Sequence, residues 1–241
     1  MDSHTLILNI ETSTDICSAA LGLDGEVLLE REDRSGVNHA RCLPVFVDEL
    51  LNESRSRGLT LDAVAVSSGP GSYTGLRIGV STAKGLCYAL KIPLLAIDTL
   101  QAVAAGVAAQ NDAALNDKAW LCPMIDARRM EVYTAFYDSS LNRLNEIESK
   151  VIDENSFSDI LEERQVVFCG NGAGKCTGVI KHPNAVFMPG TVSSARQMAG
   201  LSYKKMKHFE ATGTGAEDVA YFTPFYLKDF QAAPSHVKGL R

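Results

Sequence analysis

The stretch LILNIETSTDICSAALGLDGEVLLERE, residues 6–32, decides the fold class. Its three apolar runs are Leu6 to Ile10, Cys17 to Leu23 and Glu26 to Glu32, and an Asp-Gly pair joins the last two. An Asp-Gly pair between apolar runs is typical of a β-hairpin turn. The stretch therefore predicts three consecutive strands.

The chain then alternates between helices and strands. An amphipathic helix around Leu43 to Leu51 precedes a short strand, Asp62 to Ser67. A glycine-rich loop opens a second helix that ends near Leu90, and the strand Ile92 to Ile97 follows. The same β-β-β-α-β-α-β order recurs over residues 120–188, and a helix follows each copy. This repeat predicts an α/β fold of two duplicated subdomains, each a mixed sheet flanked by helices.

The repeat divides the chain into three parts. Residues 1–100 form the first subdomain, and residues 101–212 form the second. The second contains a helix between its last two strands and a long helix from about Ser193 to Phe209. Residues 213–241 form a tail whose apolar part, Val219 to Phe230, is expected to pack back on the body.

The composition limits the classes of function. Neither a secretory leader nor an apolar run of membrane-spanning length is supported, so we expect a cytoplasmic protein with no membrane partner. The six cysteines form no CxxC pair, which predicts reduced structural thiols. The formal charge of −6 argues against tight binding of nucleic acid by this chain alone. Residues 164–209 carry seven basic and no acidic side chains, which predicts either a solvated face or a contact with an anionic partner.

The loop SSGPGSYTGLRIG, Ser67 to Gly79, joins a strand to a helix, an arrangement that many proteins use to bind phosphate. It lacks a lysine at Walker spacing. Small residues recur at every fourth position of the helix: Gly75, Gly79, Ala83 and Cys87. Such a stripe favours close helix packing, and the helix has more small and apolar surface than one face needs. We therefore expect contact with a second chain.

Six segments, distributed over nearly the whole chain, carry a family resemblance: ILNIETSTD (Ile7–Asp15), GPGSYTGLRIG (Gly69–Gly79), IPLLAIDTL (Ile92–Leu100), IDARRMEVY (Ile125–Tyr133), GNGAGK (Gly170–Lys175) and PFYLKDF (Pro224–Phe230). Together they resemble the bacterial TsaB (YeaZ) family of the actin, Hsp70 and sugar-kinase superfamily. The resemblance implies an actin-like (ribonuclease H-like) fold for both subdomains. It also implies a non-catalytic subunit that binds and activates TsaD in threonylcarbamoyl transfer to adenosine 37 of tRNAs reading ANN codons.

The resemblance further implies the partners. TsaD would form a heterodimer with this chain, TsaE would bind through that complex, and tRNA would bind only within the complex. The free chain would self-associate through the same surface, which lies on the first two helices, here about Asn38 to Asn52 and Thr74 to Leu90. The interface residues carried over are Arg41, Val45, Asp48, Tyr73, Thr74, Gly75, Arg77, Ile78, Gly79, Thr82, Ala83 and Leu86.

No catalytic residue, cofactor or metal is expected. The resemblance places the two metal-binding histidines of TsaD at Thr99 and Val103, which supply no imidazole. Superfamily ATPases carry Asp-x-Gly in the first hairpin, whereas this chain has Glu11 and no glycine before Gly22. A carboxylate without the glycine turn repels phosphate. The alternative is an ATP-dependent phosphotransferase of the same superfamily, which would bind and hydrolyse ATP on its own.

Two further motifs have a structural and a functional interpretation. GNGAGK (Gly170 to Lys175) departs from Walker spacing and is expected to form a tight turn, with anion binding as the alternative. Four charged residues lie around the predicted turn between the apolar runs Trp120 to Asp126 and Met130 to Tyr137: Asp126, Arg128, Arg129 and Glu131. We expect them to form a structural ion-pair group rather than an acid-base cluster.

Overall fold

The computed structural model describes residues 4–36, 38–110 and 118–228. The elements up to residue 110 are, in chain order, β1 (Leu6–Glu11), β2 (Cys17–Leu23), β3 (Glu26–Asp33), α1 (His39–Ser56), β4 (Ala63–Ser67), α2 (Tyr73–Leu90), β5 (Leu94–Ile97) and α3 (Thr99–Ala108). Those from residue 118 onward are β6 (Trp120–Asp126), β7 (Glu131–Thr134), β8 (Glu148–Val151), α4 (Ser158–Glu163), β9 (Val166–Cys169), β10 (Ala185–Met188) and α5 (Ala199–Thr212). Two short 3-10 helices lie at Gly174–Cys176 and Ala195–Met198.

The two halves contain sheets of the same topology. The strand order is β3-β2-β1-β4-β5 in the first sheet and β8-β7-β6-β9-β10 in the second. In each sheet the first three strands pair antiparallel, and the last two extend the sheet in parallel. The predicted duplication of an α/β unit with a mixed sheet is therefore confirmed.

The hairpin between β2 and β3 turns at the Asp-Gly pair, as the sequence predicts. Asp24 and Gly25 have φ angles of 53° and 91°, which a two-residue turn of this kind requires. The Asp24 carboxylate also accepts the Thr5 amide at 2.8 Å. The turn therefore fixes the register of β2 against both of its neighbours.

Two helices are exchanged between the halves. Helix α3 follows β5, but its Leu100 belongs to the apolar cluster that contains Leu121 of the second sheet. Helix α5 comes after the second sheet, but its Met206 belongs to the cluster that contains Ile7 of the first. Each sheet therefore depends on a helix from the other half to cover one face. The division of the chain at residues 100 and 212 stays a prediction.

Two predicted helices differ from the structure. The helix expected between β9 and β10 is only the 3-10 helix Gly174–Cys176, because the glycine-rich segment before it has low helix propensity. The helix expected from Ser193 begins instead as a 3-10 turn. Ser194 and Gln197 cap that turn reciprocally, and α5 starts after it.

The tail is described as far as Lys228 and returns along the first half. The Glu217 amide donates to the Leu94 carbonyl at 2.8 Å, next to β5. The Phe225 amide donates to the Ser68 carbonyl at 2.7 Å, at the end of β4. The rest of the predicted apolar segment, including Phe230, lies outside the described residues.

The cysteines are free thiols, and five of them are buried. Burial raises the pKa of Cys122 to about 12 and that of Cys87 to about 11. Because the thiolate is the reactive form, we expect a disulfide reagent at pH 8 to modify only the partly exposed Cys42 within minutes. In denaturant all six should react at once. Rapid modification of several thiols in the folded protein would contradict the buried assignment.

Candidate functional site

Helices α1 and α2 lie side by side on the first sheet and present an outward face. Large apolar side chains are exposed on this face, among them Val45 on α1 (52% exposed) and Tyr88 on α2 (82% exposed). Nine of the predicted interface residues are exposed or partly exposed: Arg41, Val45, Asp48, Tyr73, Thr74, Arg77, Ile78, Thr82 and Leu86. The sequence interpretation missed Tyr88, although an aromatic residue on the polar side of an amphipathic helix is a signal for contact.

The other three predicted interface residues are buried inside the chain: Gly75, Gly79 and Ala83. Thr12, which follows β1, donates its hydroxyl to the Gly75 carbonyl at 2.8 Å. A Cβ atom at Gly75 would overlap the Thr12 carbonyl oxygen, and one at Gly79 would overlap its hydroxyl. The stripe of small residues therefore permits α2 to approach the end of β1. The role of these three residues in a contact with a second chain stays a prediction.

The loop before α2 uses several of its backbone amides within the chain. The Ser72 amide donates to the Ser13 carbonyl at 2.6 Å. The Gly69 amide donates to the Thr99 hydroxyl at 3.2 Å, and the Ser72 hydroxyl caps α2 by accepting the Gly75 amide. Amides that already donate within the chain are not available to a phosphate, so the loop geometry favours a structural role.

Glu11, at the end of β1, is fully buried where the two halves meet. Its Oε1 atom accepts the Ser13 amide at 2.6 Å and the Ser67 hydroxyl at 3.0 Å. Its Oε2 atom accepts the hydroxyl of Ser193 from the second half. The carboxylate thus satisfies three donors and links the halves at the position where superfamily ATPases carry their phosphate-binding turn.

The C-terminal tail lies against α2. Lys84 donates its ammonium group to the carbonyls of Ala220 and Phe222 at 3.1 and 3.0 Å. The ring of Tyr226 lies 4.7 Å from that of Tyr73, centroid to centroid. The described part of the tail therefore covers one flank of α2, where Tyr226 contacts both Tyr73 and Arg77.

The turn between β6 and β7 projects two arginines. Arg128 and Arg129 are both exposed, and their φ angles are 73° and 49°. The Arg128 amide donates to the Asp126 carboxylate at 2.7 Å, which holds the turn in shape. The expected ion-pair group is wrong for the arginines: Asp126 pairs with Lys175 and Glu131 with Lys228, and among the described residues no acid pairs with Arg128 or Arg129.

The GNGAGK segment packs directly behind this hairpin. Gly170 has a φ of 93°, and a Cβ atom there would lie 2.5 Å from the Met124 carbonyl oxygen. Lys175 donates to the Asp126 carboxylate and to the Glu131 carbonyl, both at 2.6 Å. These contacts favour the structural interpretation of the segment, in which the glycines permit a tight turn and the lysine braces the hairpin.

The acid-free segment, residues 164–209, is not an open basic surface. Five of its seven cations form ion pairs with acids outside the segment: Arg164 with Glu163, Lys175 with Asp126, Arg196 with Glu30, Lys205 with Glu217, and Lys207 with Glu210. Arg164 also stacks on the ring of Trp120 at 4.1 Å. The fold therefore neutralises most of a charge that looks isolated in the sequence.

Comparison with known proteins places the chain in a family. A family model described as TsaD: tRNA N6-adenosine threonylcarbamoyltransferase matches residues 33–222. The chain is 35% identical over 172 residues to the tRNA threonylcarbamoyladenosine biosynthesis protein TsaB of Bacillus subtilis, which covers 68% of this chain and 70% of that protein. The chain belongs to the TsaB (YeaZ) family. It is also 37% identical over 136 residues to the TsaB protein of Escherichia coli, and this match spans 56% of each chain, little more than half the length of that relative.

The structure agrees with this placement. The TsaB-family chain superposes on YeaZ from Pseudomonas aeruginosa with a TM-score of 0.75 and 25% identity, covering 92% of this chain and all of the other. The similarity to TsaD is shorter: the tRNA N6-adenosine threonylcarbamoyltransferase of Prosthecochloris aestuarii is 34% identical over 110 residues, 40% of this chain and 32% of that protein. The fold of this TsaB-family chain is the actin-like two-subdomain fold.

The predicted metal positions of TsaD are occupied by packing residues in this TsaB-family chain. Thr99 and Val103 are both buried on α3. The Thr99 hydroxyl accepts the Gly69 amide, and Val103 belongs to the apolar cluster between α3 and the second sheet. Over residues 4–36, 38–110 and 118–228, no group of three or more His, Cys, Asp or Glu side chains is arranged to hold a metal ion. In the same part of the chain, no helix has the length and apolar character to cross a membrane.

Proposed function

We propose that this TsaB-family chain acts in the synthesis of threonylcarbamoyladenosine at position 37 of tRNA, as a non-catalytic subunit that binds and activates TsaD. The observation that carries the proposal is the outward face of α1 and α2, which keeps large apolar side chains such as Val45 and Tyr88 in contact with solvent. Exposed apolar surface of this kind marks contact sites between proteins. The names of the relatives supply the pathway.

Two features support a role without catalysis. The Glu11 carboxylate is fully buried and accepts three hydrogen bonds from the chain, so both of its oxygens are engaged within the fold. The loop before α2 directs amides of Ser72 and Gly69 to acceptors within the chain. A nucleotide phosphate would meet a carboxylate here in place of free amides, which favours the accessory role over the phosphotransferase.

The proposed assembly is a heterodimer with TsaD through the α1–α2 face, to which TsaE binds in turn. tRNA binds to this complex and not to the isolated chain, in keeping with the net charge of −6. The free chain self-associates through the same face, so the homodimer and the heterodimer exclude each other. The proposed site of assembly is the cytoplasm.

The test is reconstitution of the modification. TsaD, TsaE, a source of threonylcarbamoyl-AMP and an unmodified tRNA are combined with and without this chain, and threonylcarbamoyladenosine is measured by mass spectrometry. We expect product only when the chain is present. An equal amount of product without this chain would contradict the proposal. ATP hydrolysis by the isolated chain would support the phosphotransferase alternative.

Val45→Asp is expected to weaken binding to TsaD by about 10- to 100-fold, because it places a charge in the desolvated centre of the proposed interface. The measurement is titration calorimetry or quantitative co-purification with TsaD from the same organism. Val151→Asp is the matched control, since Val151 is 67% exposed on the edge strand β8 of the second sheet. It should leave the affinity unchanged. Equal affinities of the two variants for TsaD would contradict the placement of Val45 in the interface.

A further inference from the structure

We propose that the β6–β7 turn, through Arg128 and Arg129, contacts the phosphate backbone of tRNA once this chain is assembled with its partner. The inference rests on the proposed function, because the tRNA reaches the turn only within that complex. It assigns to this chain a direct part in substrate binding, separate from the α1–α2 face.

The first observation is the charge of the turn. The two acids beside it are already neutralised, Asp126 by Lys175 at 2.6 Å and Glu131 by Lys228 at 2.5 Å. Within the described part of the chain, no acidic side chain pairs with either arginine. Four cations and two carboxylates leave the turn with two net positive charges on a protein whose overall charge is −6. A polyanion that approaches this chain therefore finds its favourable contact here.

The second observation is the backbone of the turn. Arg128 and Arg129 are consecutive non-glycine residues with positive φ, in the three-residue loop between Ala127 and Glu131, where Asn or Gly would adopt these angles with less strain. The turn is closed by the Ala127 amide, which donates to the Glu131 carbonyl at 3.0 Å. A turn that served only to connect two strands would gain nothing from arginines at these positions. Their exposed guanidinium groups are suited to bidentate contact with phosphate oxygens.

The third observation is the position of the turn. Lys228, which pairs with Glu131, is two residues after Tyr226, whose hydroxyl accepts the Arg77 Nε hydrogen at 3.3 Å. These two contacts join α2, which carries part of the proposed partner surface, to the hairpin that carries the turn. The tail segment around Tyr226 and Lys228 thus connects the proposed partner surface to the turn that would contact tRNA.

The test compares tRNA binding by the assembled complex over a salt series. We expect Arg128→Gln with Arg129→Gln to weaken binding of an unmodified tRNA transcript by about 3- to 30-fold at 0.1 M salt. We also expect the slope of log K against log salt to fall by about 1.5, as for the loss of two phosphate contacts. The matched control is Lys181→Gln with Lys204→Gln, which removes the same charge from two exposed positions of the acid-free segment. An equal loss in the control would overturn the proposal, because net charge alone would then set the affinity.

A second variant separates binding from folding. Arg128→Asn with Arg129→Gly gives the turn its preferred residues, so we expect a higher melting temperature together with the same loss of tRNA affinity. A higher melting temperature with unchanged affinity would overturn the proposal and leave the arginines a structural role. Loss of co-purification with TsaD would also overturn it, since the arginines would then contact protein. Failure of the proposed function is distinct: the wild-type chain would then be dispensable for modification.

Discussion

Gly75→Ala is expected to lower the free energy of unfolding by about 2–3 kcal/mol, because the added Cβ atom would overlap the Thr12 carbonyl oxygen in a packed interior. The new Cβ atom is fixed to the α2 backbone and the Thr12 oxygen belongs to the main chain, so no side-chain rotation relieves the overlap. The Thr12 hydroxyl also loses its bond to the Gly75 carbonyl if the helix moves away. Thermal unfolding should show a melting temperature lower by about 4–12 °C.

Gly85→Ala is the matched control for this change. Gly85 lies on the same helix, but it is exposed, and nothing lies within 4 Å of an added Cβ atom. Alanine should therefore stabilise the helix by about 0.5–1 kcal/mol through its higher helix propensity. The two substitutions are chemically identical and should act in opposite directions. Equal stabilities would mean that α2 does not approach β1 as closely as described.

Glu11→Ala is expected to lower the free energy of unfolding by about 3 kcal/mol or more, since it leaves buried donors at Ser13, Ser67 and Ser193 without their acceptor. The melting temperature should fall by about 6–12 °C. Ser193→Ala removes a single donor and leaves one buried carboxylate oxygen without its partner, which should cost about 1.5–3 kcal/mol, no more than Glu11→Ala.

The control for Glu11 is Glu163→Ala, which removes an exposed carboxylate and should change the stability by less than about 0.5 kcal/mol. The same variants decide between the accessory and phosphotransferase roles. A Glu11→Ala protein that stays folded with unchanged stability, but loses ATP turnover shown by the wild type, would mean that the carboxylate works on a nucleotide and not on the fold.

The sequence predicts the strands and their duplication because those features depend on residues that are adjacent in the chain. The Asp-Gly turn sets its hairpin locally, and short apolar runs mark the strands. The contact of the small-residue stripe of α2 with Thr12 was not predicted, because Thr12 lies far away in the sequence. No local pattern distinguishes a helix that approaches a strand end from one that approaches another chain.

The candidate site was predictable only in part, for the same reason. The family resemblance carried over the exposed residues of α1 and α2, but it could not separate them from buried Ala83. The charge of residues 164–209 looked open because its partners, such as Glu30 and Glu217, come from distant segments. The β6–β7 turn with its two arginines was visible as a motif. Only the fold shows that lysines pair with the neighbouring acids, so that these acids do not pair with Arg128 and Arg129.

The exchange of α3 and α5 affects how the protein is made on the ribosome. The first sheet is synthesised early, but the helix that covers its second face, Ala199–Thr212, is translated after the whole second sheet. Until that helix emerges, the apolar residues around Ile7 and Leu95 have no covering layer and are open to chaperones. The second sheet, by contrast, finds its covering helix α3 already made, so the half that is synthesised first is the last to be completed.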